Sequence, residues 1–336
     1  MILLKAIGLL SGGLDSILAV KVVAQQGIEI EAVNFTSVFH EEQRDSAPVR
    51  ITADMLGVPV RILDISEELF EIIKKPKHGY GSNINPCIDC HAFMFRKAGG
   101  YMKETGASFL VTGEVLGERP MSQKKDTLRI VEKDSGLEGL ILRPLSAKLL
   151  EPTIPEKNGW VDREKLLAIE GRSRKPQIEL AKQLGIDKYP TPAGGCLLTD
   201  KGFANRLRDL MERKSDFTVG DVNLLKVGRH FRITKEARLA VGRDKEENGK
   251  LLKLAVDGDI FFYPVKTKGP TALGRGLFNE NDILAASGII ARYTDKDSNI
   301  SAAGRLEIAH KMFNERRPTH IRVLPMSEKE LEALRI

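Results

Sequence analysis

The chain opens on an apolar run, Ile2–Leu10, that stops at Ser11-Gly12-Gly13. A short continuous apolar segment closed by glycine predicts a strand buried on both faces. The period then changes. Ile17, Leu18, Val20, Val22 and Val23 are spaced for a helix over Ser16–Gln26 that Gly27 ends. A strand is predicted over Ile28–Phe35, a helix over Ala47–Leu56 closed by Gly57, and a strand over Val58–Ile65. Strands and helices that alternate through short connections make a parallel sheet with helices on both faces. Phe109–Thr112 and Leu140–Leu145 predict further strands, and Lys175–Leu184 a helix, ahead of the turn-rich segment Tyr189–Gly195.

From about Phe217 the pattern shortens. Apolar alternations are broken at Val227-Gly228, Val241-Gly242-Arg243, Asp257-Gly258-Asp259 and Lys268-Gly269-Pro270. Phe231–Val241 and Ile260–Val265 predict strands. The expected organisation is an α/β domain over residues 1–205 and a smaller, β-rich α+β domain over 216–336, with a linker within Asp200–Phe217.

Composition narrows the class. With 336 residues, 42% hydrophobic and 29% charged, the chain suits an ordinary globular protein of two domains. No run of 18 apolar residues is present, and the apolar start lacks a cleavage site, so a cytoplasmic protein without a membrane span is expected. The formal net charge of +6 suits a polyanionic partner. Three cysteines, Cys87, Cys90 and Cys196, are too few and too odd for a disulfide scaffold. They point to chemistry or metal binding in a reducing compartment.

Ser11-Gly12-Gly13-Leu14-Asp15-Ser16 lies between the opening strand and its helix. Glycines let backbone N–H groups approach phosphate oxygens, and a helix start offers unpaired donors and the positive end of the dipole. Ser11 and Ser16 add hydroxyls. Asp15 would repel an anion unless a bound Mg²⁺ bridged it to the phosphates. The Gly-Lys-Ser/Thr ending of a Walker loop is absent, which argues against simple γ-phosphate cleavage.

This S-G-G-x-D-S element resembles the PP-loop ATP pyrophosphatase superfamily, over roughly residues 1–200. The resemblance implies a PP-loop (HUP-like) fold and cleavage of ATP between its α and β phosphates. It further implies adenylation of a carbonyl or amide oxygen, and then displacement of AMP by a nucleophile. Ser11, Gly12, Gly13, Asp15 and Ser16 become the expected nucleotide site. Gly113, in Thr112-Gly113-Glu114, is expected where the backbone approaches adenosine, followed by Gly117-Glu118-Arg119-Pro120-Met121-Ser122-Gln123.

Asn85-Pro86-Cys87-Ile88-Asp89-Cys90 and the distant Gly194-Gly195-Cys196 resemble the tRNA thiouridylase branch of that superfamily. That branch has an Asn-Pro-Asp-x-x-Cys element and a second cysteine after a glycine. Cys90 and Cys196 fall on its two cysteines, and Cys87 stands where it has aspartate. Two mechanisms remain open. Cys90 and Cys196 pair as persulfide carrier and resolving thiol, with Asp15 in the catalytic set. Alternatively Cys87, Cys90 and Cys196 hold a [4Fe–4S] cluster, favoured because it uses every cysteine. A zinc site is a third option, with His91 or His78 as fourth ligand.

Arg143, Lys148, Arg172, Arg174 and Lys175 are candidates for neutralising pyrophosphate or RNA phosphate. His40 reads as ordinary surface. Val241-Gly242-Arg243-Asp244-Lys245-Glu246-Glu247-Asn248 resembles the RNA-binding domain of the NFACT group, in which V-G-R-x-x-x-x-N recurs. Lys201 to Arg238 carries ten lysines and arginines against five acidic residues, as phosphate contacts would require. Phe231, Phe261, Phe262 and Tyr263 are the aromatics available for stacking on bases. The expected activity is ATP-dependent tRNA sulfurtransfer, with tRNA and a sulfur donor (a cysteine desulfurase or free sulfide) as partners. A homodimer is compatible with it. The rivals are a PP-loop ligase or amidotransferase on a small molecule, with structural zinc, and a non-enzymatic RNA-binding factor.

Overall fold

A computed structural model describes residues 4–40, 47–189, 195–295 and 304–336. They form two compact units, Met1–Thr199 and Asp200–Ile336.

The first unit runs β1 (Lys5–Leu9), α1 (Leu14–Ala24), β2 (Glu29–Thr36), α2 (Ala47–Leu56), β3 (Val60–Asp64), α3 (Ser66–Lys74), α4 (Cys87–Glu104), β4 (Phe109–Val111), α5 (Lys125–Ser135), β5 (Ile141–Leu142), α6 (Ile154–Lys157) and α7 (Lys175–Gln183). Its five strands are ordered β3-β2-β1-β4-β5, and every pairing is parallel. Ala6 and Ile7 of the central strand are wholly buried, which explains why it reads as an unbroken apolar run. Helices α1, α2 and α7 pack together, as do α3, α4 and α5. Right-handed crossovers place these groups on opposite faces of the sheet. Strand order reverses between β1 and β4. At such a switch the loops leaving the carboxyl ends diverge and open a crevice.

The second unit runs α8 (Lys201–Arg213), α9 (Val219–Leu225), β6 (Arg229–Arg232), β7 (Ala237–Val241), α10 (Lys245–Leu254), β8 (Ile260–Pro264), β9 (Ala272–Gly276), α11 (Glu280–Tyr293), β10 (Leu306–Met312), β11 (Thr319–Val323) and α12 (Glu328–Leu334). The sheet order is β11-β10-β8-β9-β7-β6, all antiparallel. One face packs Phe231, Leu239, Ile260 and Phe262 against Ala286, Ile289 and Ile290 of α11. The other packs Ala240, Phe261 and Leu273 against Leu224 and Leu251.

Two expectations change. Phe231–Val241 is a hairpin, not one strand: β6 turns into β7 where Thr234 Oγ1 accepts from Ala237 N at 3.1 Å. The presumed linker Asp200–Phe217 is largely α8. Asp200 caps it, accepting from Phe203 N at 2.6 Å, and Phe203, Ala204, Leu207 and Leu210 are buried along one face. Most of the turn-rich segment Tyr189–Gly195 lies outside the described residues. No described helix is long and apolar enough to cross a membrane.

Candidate active site

The phosphate-loop sequence forms the expected strand–turn–helix. Gly12 sits at φ +81°, which only glycine adopts freely. Ser16 Oγ donates to the Gly13 carbonyl at 2.7 Å, and Ser11 Oγ accepts from Gly13 N at 3.3 Å. Ser11 and Ser16 hydroxyls meet at 3.2 Å. The serines thus close the turn. Helix α1 has Gly13 as N-cap with no side-chain cap, which leaves its first-turn N–H groups to a ligand or water.

Gly113 has a role that its sequence neighbourhood did not reveal. A Cβ there would lie 2.5 Å from Asp15 C and from Ser16 N. The loop after β4 therefore presses backbone to backbone on the start of α1. Glycine is required by that packing, whatever nucleotide lies above.

Asp15 is half-buried, and its Oδ1 has no hydrogen-bond partner. Burial pushes its pKa up, opposed by Arg174, Gln177 and Arg119 around it. Gln177 of α7 is wholly buried with its side-chain amide against Asp15, to which it lends hydrogen-bonding support. Asp15 Oδ1 stays orphaned at the helix start, where buried groups ordinarily find partners. Gln177 was not legible beforehand; an isolated Gln in a polar helix carries no signal. Glu118 also faces Asp15, and burial and that charge raise its pKa. The loop carrying Glu118 and Arg119 is fastened to the approach of α7, since Gly171 N donates to Leu116 O at 2.8 Å.

Cys87 and Cys90 lie in the first turns of α4. Cys196 reaches them from far along the chain. It forms an antiparallel bridge with His40, and Leu197 N donates to Phe39 O at 2.9 Å. On the other side Ile84 N donates to Leu198 O at 3.2 Å, and Asn83 Nδ2 donates to Thr199 O at 2.7 Å. His40 is thus part of the clamp that holds Cys196. The thiols influence one another: Cys90 is pushed up to about 12, by burial first and then by Cys196 and Cys87. Cys196 is pushed up to about 11, by burial first. Burial also raises Cys87, while Arg119 lowers it. Arg119 lowers Cys196 too, so one guanidinium lies within electrostatic range of Asp15 and of two thiols.

The histidines are engaged elsewhere. His91 Nδ1 meets Glu114 Oε1 at 3.0 Å. His78 Nε2 meets Asp134 Oδ2 at 2.6 Å, and the His78 backbone N–H donates to Asp89 Oδ2 at 3.0 Å. Among the described residues no group of three or more His, Cys, Asp or Glu is placed to hold a metal ion. The thiols form no single-ion centre of the zinc type there, and Cys87, Cys90 and Cys196 are the residues that would hold a [4Fe–4S] cluster. Mg²⁺ is a different case, because it takes one or two carboxylates and completes its shell with phosphates and water. The orphaned Asp15 Oδ1 fits that requirement.

Several candidate cations have other work. Arg143 is buried, donating to Glu114 at 2.9 Å through Nε and to Glu132 through Nη1. Lys148 donates to the Glu164 carbonyl at 2.8 Å. Of the sequence candidates, Arg174 is the one found beside Asp15.

In the second unit the V-G-R-x-x-x-x-N element is a structural lock. Asn248 Oδ1 accepts from Thr271 N at 3.0 Å, and a Cβ on Gly242 would lie 2.2 Å from that oxygen. Arg243 pairs with Glu247, and Asp244 caps α10. Phe231, Phe261 and Phe262 are buried, which removes three of the four aromatics expected to stack on bases.

Residues 4–149 match the family model described as thiamine biosynthesis protein (ThiI), and residues 228–335 match that of the NFACT protein RNA binding domain. A probable tRNA sulfurtransferase from Acetivibrio thermocellus is 34% identical over 119 residues, covering 34% of this chain and 29% of that protein. One from Lysinibacillus sphaericus is 30% identical over 144 residues, 42% of this chain and 34% of that protein. A tRNA-specific 2-thiouridylase MnmA from Campylobacter curvus is 30% identical over 123 residues, 34% of this chain and 35% of that protein. The chain thus spans about a third of the length of these curated relatives. A solved 4-thiouridine synthetase in complex with RNA and bound ATP shares 24% identity over 54% of this chain and 51% of that chain, at a TM-score of only 0.33.

Proposed function

We propose that the chain is an ATP-dependent tRNA sulfurtransferase whose second unit, Asp200–Ile336, binds the RNA. The observation that carries this reading is Arg119, which faces Asp15 of the phosphate loop and the thiols Cys87 and Cys196. A site that only hydrolysed ATP would need no thiols there. The matched sulfurtransferases and the matched RNA-binding domain support the same assignment.

The loop N–H groups and the start of α1 bind the triphosphate, with Arg119 and Arg174 on the flank. A Mg²⁺ held by Asp15 would screen that carboxylate from the phosphates and stabilise the departing pyrophosphate. A carbonyl oxygen of a tRNA base attacks the α-phosphorus, and pyrophosphate leaves. A persulfide on Cys90 or Cys196 then attacks the activated carbon through its outer sulfur, and AMP leaves. The second cysteine attacks the inner sulfur and frees the thiolated base. The resulting disulfide is reduced by two equivalents of an external thiol, and a donor carrying its own persulfide, such as a cysteine desulfurase, passes its outer sulfur to the freed thiolate and leaves as a thiolate. Both thiols are half-buried and their pKa values are raised, and the Arg119 cation favours the thiolate at Cys196.

Single cysteine variants test the proposal. Cys90→Ala and Cys196→Ala are expected to abolish thionucleoside formation in tRNA, measured by mass spectrometry, while RNA-dependent pyrophosphate release continues. Cys87→Ser separates the mechanisms: a loss below about tenfold suits the thiol pair, whereas complete loss requires all three sulfurs. Thiolation that survived Cys90→Ala and Cys196→Ala would end the proposal.

A further inference from the structure

The antiparallel sheet of the second unit carries a row of three arginines. Arg232 of β6 stands opposite Arg238 of β7, and Arg238 stands opposite Arg275 of β9. Like charges directly opposite on one sheet face repel. Two of the three are neutralised. Arg232 grips Asp209 of α8 through Nε and Nη2. Arg275 binds Asp259 at 2.9 and 2.7 Å and reaches Asp221 at 3.3 Å.

The middle arginine has no such partner. Arg238 is 4% exposed, makes no ion pair among the described residues, and leaves Nη1 without a hydrogen bond. His230 lies on the same face, two residues before Arg232, and is 2% exposed. Its Nε2 bonds the Val227 carbonyl at 2.9 Å, and its Nδ1 has no partner. Arg206 of α8 also leaves a buried Nε unpartnered. Arg238, Arg206 and Arg243 all act on His230 and hold its pKa well below the ordinary value, after the larger effect of burial. Arg238 itself is lowered to about 10, by burial first and then by Arg232 and Arg275, against the opposing pull of Asp221 and Asp209. Those two carboxylates act on Arg238 at a distance and make no ion pair with it, and a buried guanidinium without a directly bonded anion is costly.

We propose that Arg206, Arg238 and His230 form a binding site for a phosphate group. A guanidinium fork matches the spacing of oxygens on a tetrahedral oxyanion. Half-buried Arg206 and exposed Arg243 mark the side of entry. Phosphate supplies the direct anionic partner that Arg238 lacks and accepts from the orphaned N–H groups of both arginines. It also reverses the balance at His230, so that binding takes up a proton and turns Nδ1 into a third donor. The groups acting on that imidazole are Arg238 from β7, Arg206 from α8, Arg243 ahead of α10 and the Val227 carbonyl. Inorganic phosphate and an RNA backbone phosphate share this chemistry. The proposal is independent of the thiolation reading of the first unit.

The test uses the full chain in phosphate-free buffer. Inorganic phosphate is titrated while thermal unfolding and the histidine ring signals are followed, with sodium chloride at matched ionic strength as control. The wild type is expected to gain thermal stability with phosphate alone, and the His230 titration midpoint is expected to rise. Arg238→Met should raise the melting temperature without phosphate and lose both responses. Arg206→Gln, at a half-buried position where folding is safer, should weaken both. A wild type indifferent to phosphate, or an Arg238→Met protein that keeps the response, overturns the proposal. A tRNA transcript then distinguishes the sources. If the RNA backbone supplies the phosphate, the slope of log affinity against log salt falls by about one in Arg238→Met. An unchanged slope together with a lost phosphate response assigns the site to free phosphate.

Discussion

Asp15 shows how a single side chain can be costly at rest and, in the proposed mechanism, necessary in use. Its carboxylate is partly desolvated and one oxygen has no partner, so folding disfavours its charged form. A carboxyl whose pKa is raised by folding contributes stability below the ordinary value of 3.8 and loses it as pH rises through the higher folded value. At neutral pH the apo protein therefore carries a penalty there. Asp15→Asn is expected to raise the melting temperature by a few degrees at pH 7 and not at pH 3, while ATP-dependent pyrophosphate release is lost. Calorimetry at the two pH values checks the sign. Glu114 is the opposite case. It is buried, but Arg143 and His91 outweigh the burial and hold its pKa below 4.5. Its contribution is present above 4.5 and is lost as pH falls through the lower folded value. Glu114→Gln leaves the buried Arg143 with only Glu132, and should cost about 3 kcal/mol in urea unfolding at pH 7.

At the scale of elements, what was legible followed from burial. Strands β1 and β2 were readable because they are largely covered on both faces of the parallel sheet, and the half-exposed edge strand β3 was readable from the alternation of Val60, Ile62 and Leu63 with polar residues, all punctuated by Gly12, Gly27 and Gly57. The phosphate loop was readable because a backbone site writes itself in glycine. Helix α4 was not anticipated beyond its C-x-x-C start, although it places two of the three thiols. Its interior mixes buried Ala92, Phe95 and Met102 with Gly99 and Gly100, so no clean period emerges. Helix α8 was mistaken for a linker because it is strongly polar, although its capping aspartate and the spacing of Phe203, Leu207 and Leu210 were in view. Contacts across distant segments were the least legible. Neither the clamp of His40 and Ile84 on Cys196 nor the meeting of Gln177 with Asp15 has a local signature. Gly113 shows the limit well: its glycine was noted, and its reason lay in the peptide packed behind it. Gly113→Ala must push the β4 loop off Asp15 and Ser16, whose atoms stand 2.5 Å from the new carbon. A displacement of about 1 Å at a phosphate site is worth roughly 100-fold in rate, so ATP-dependent turnover should fall by that order with little loss of tRNA affinity.

At the scale of the whole molecule, the position of α8 decides where the chain can be divided. Each unit has its own sheet and core, and the division falls between Thr199 and Asp200. The sequence pattern alone placed the second domain at 216, after α8. The two choices have different physical consequences. A fragment from 216 to 336 loses Phe203, Ala204, Leu207 and Leu210, all buried, and leaves Arg232 without Asp209 beside an already unpaired Arg238. Each lost large apolar side chain forfeits about 1.5–3 kcal/mol of burial, against a typical domain stability of 5–15 kcal/mol. The shorter fragment should therefore unfold non-cooperatively or aggregate. A fragment from 200 to 336 keeps the Asp200 cap, the buried face of α8 and the Asp209 pairing. It should show one cooperative urea transition and bind a tRNA transcript with an affinity that falls steeply with salt. Circular dichroism and a salt series on both fragments check this directly. Cooperative folding of the shorter one would mean that α8 belongs to neither core.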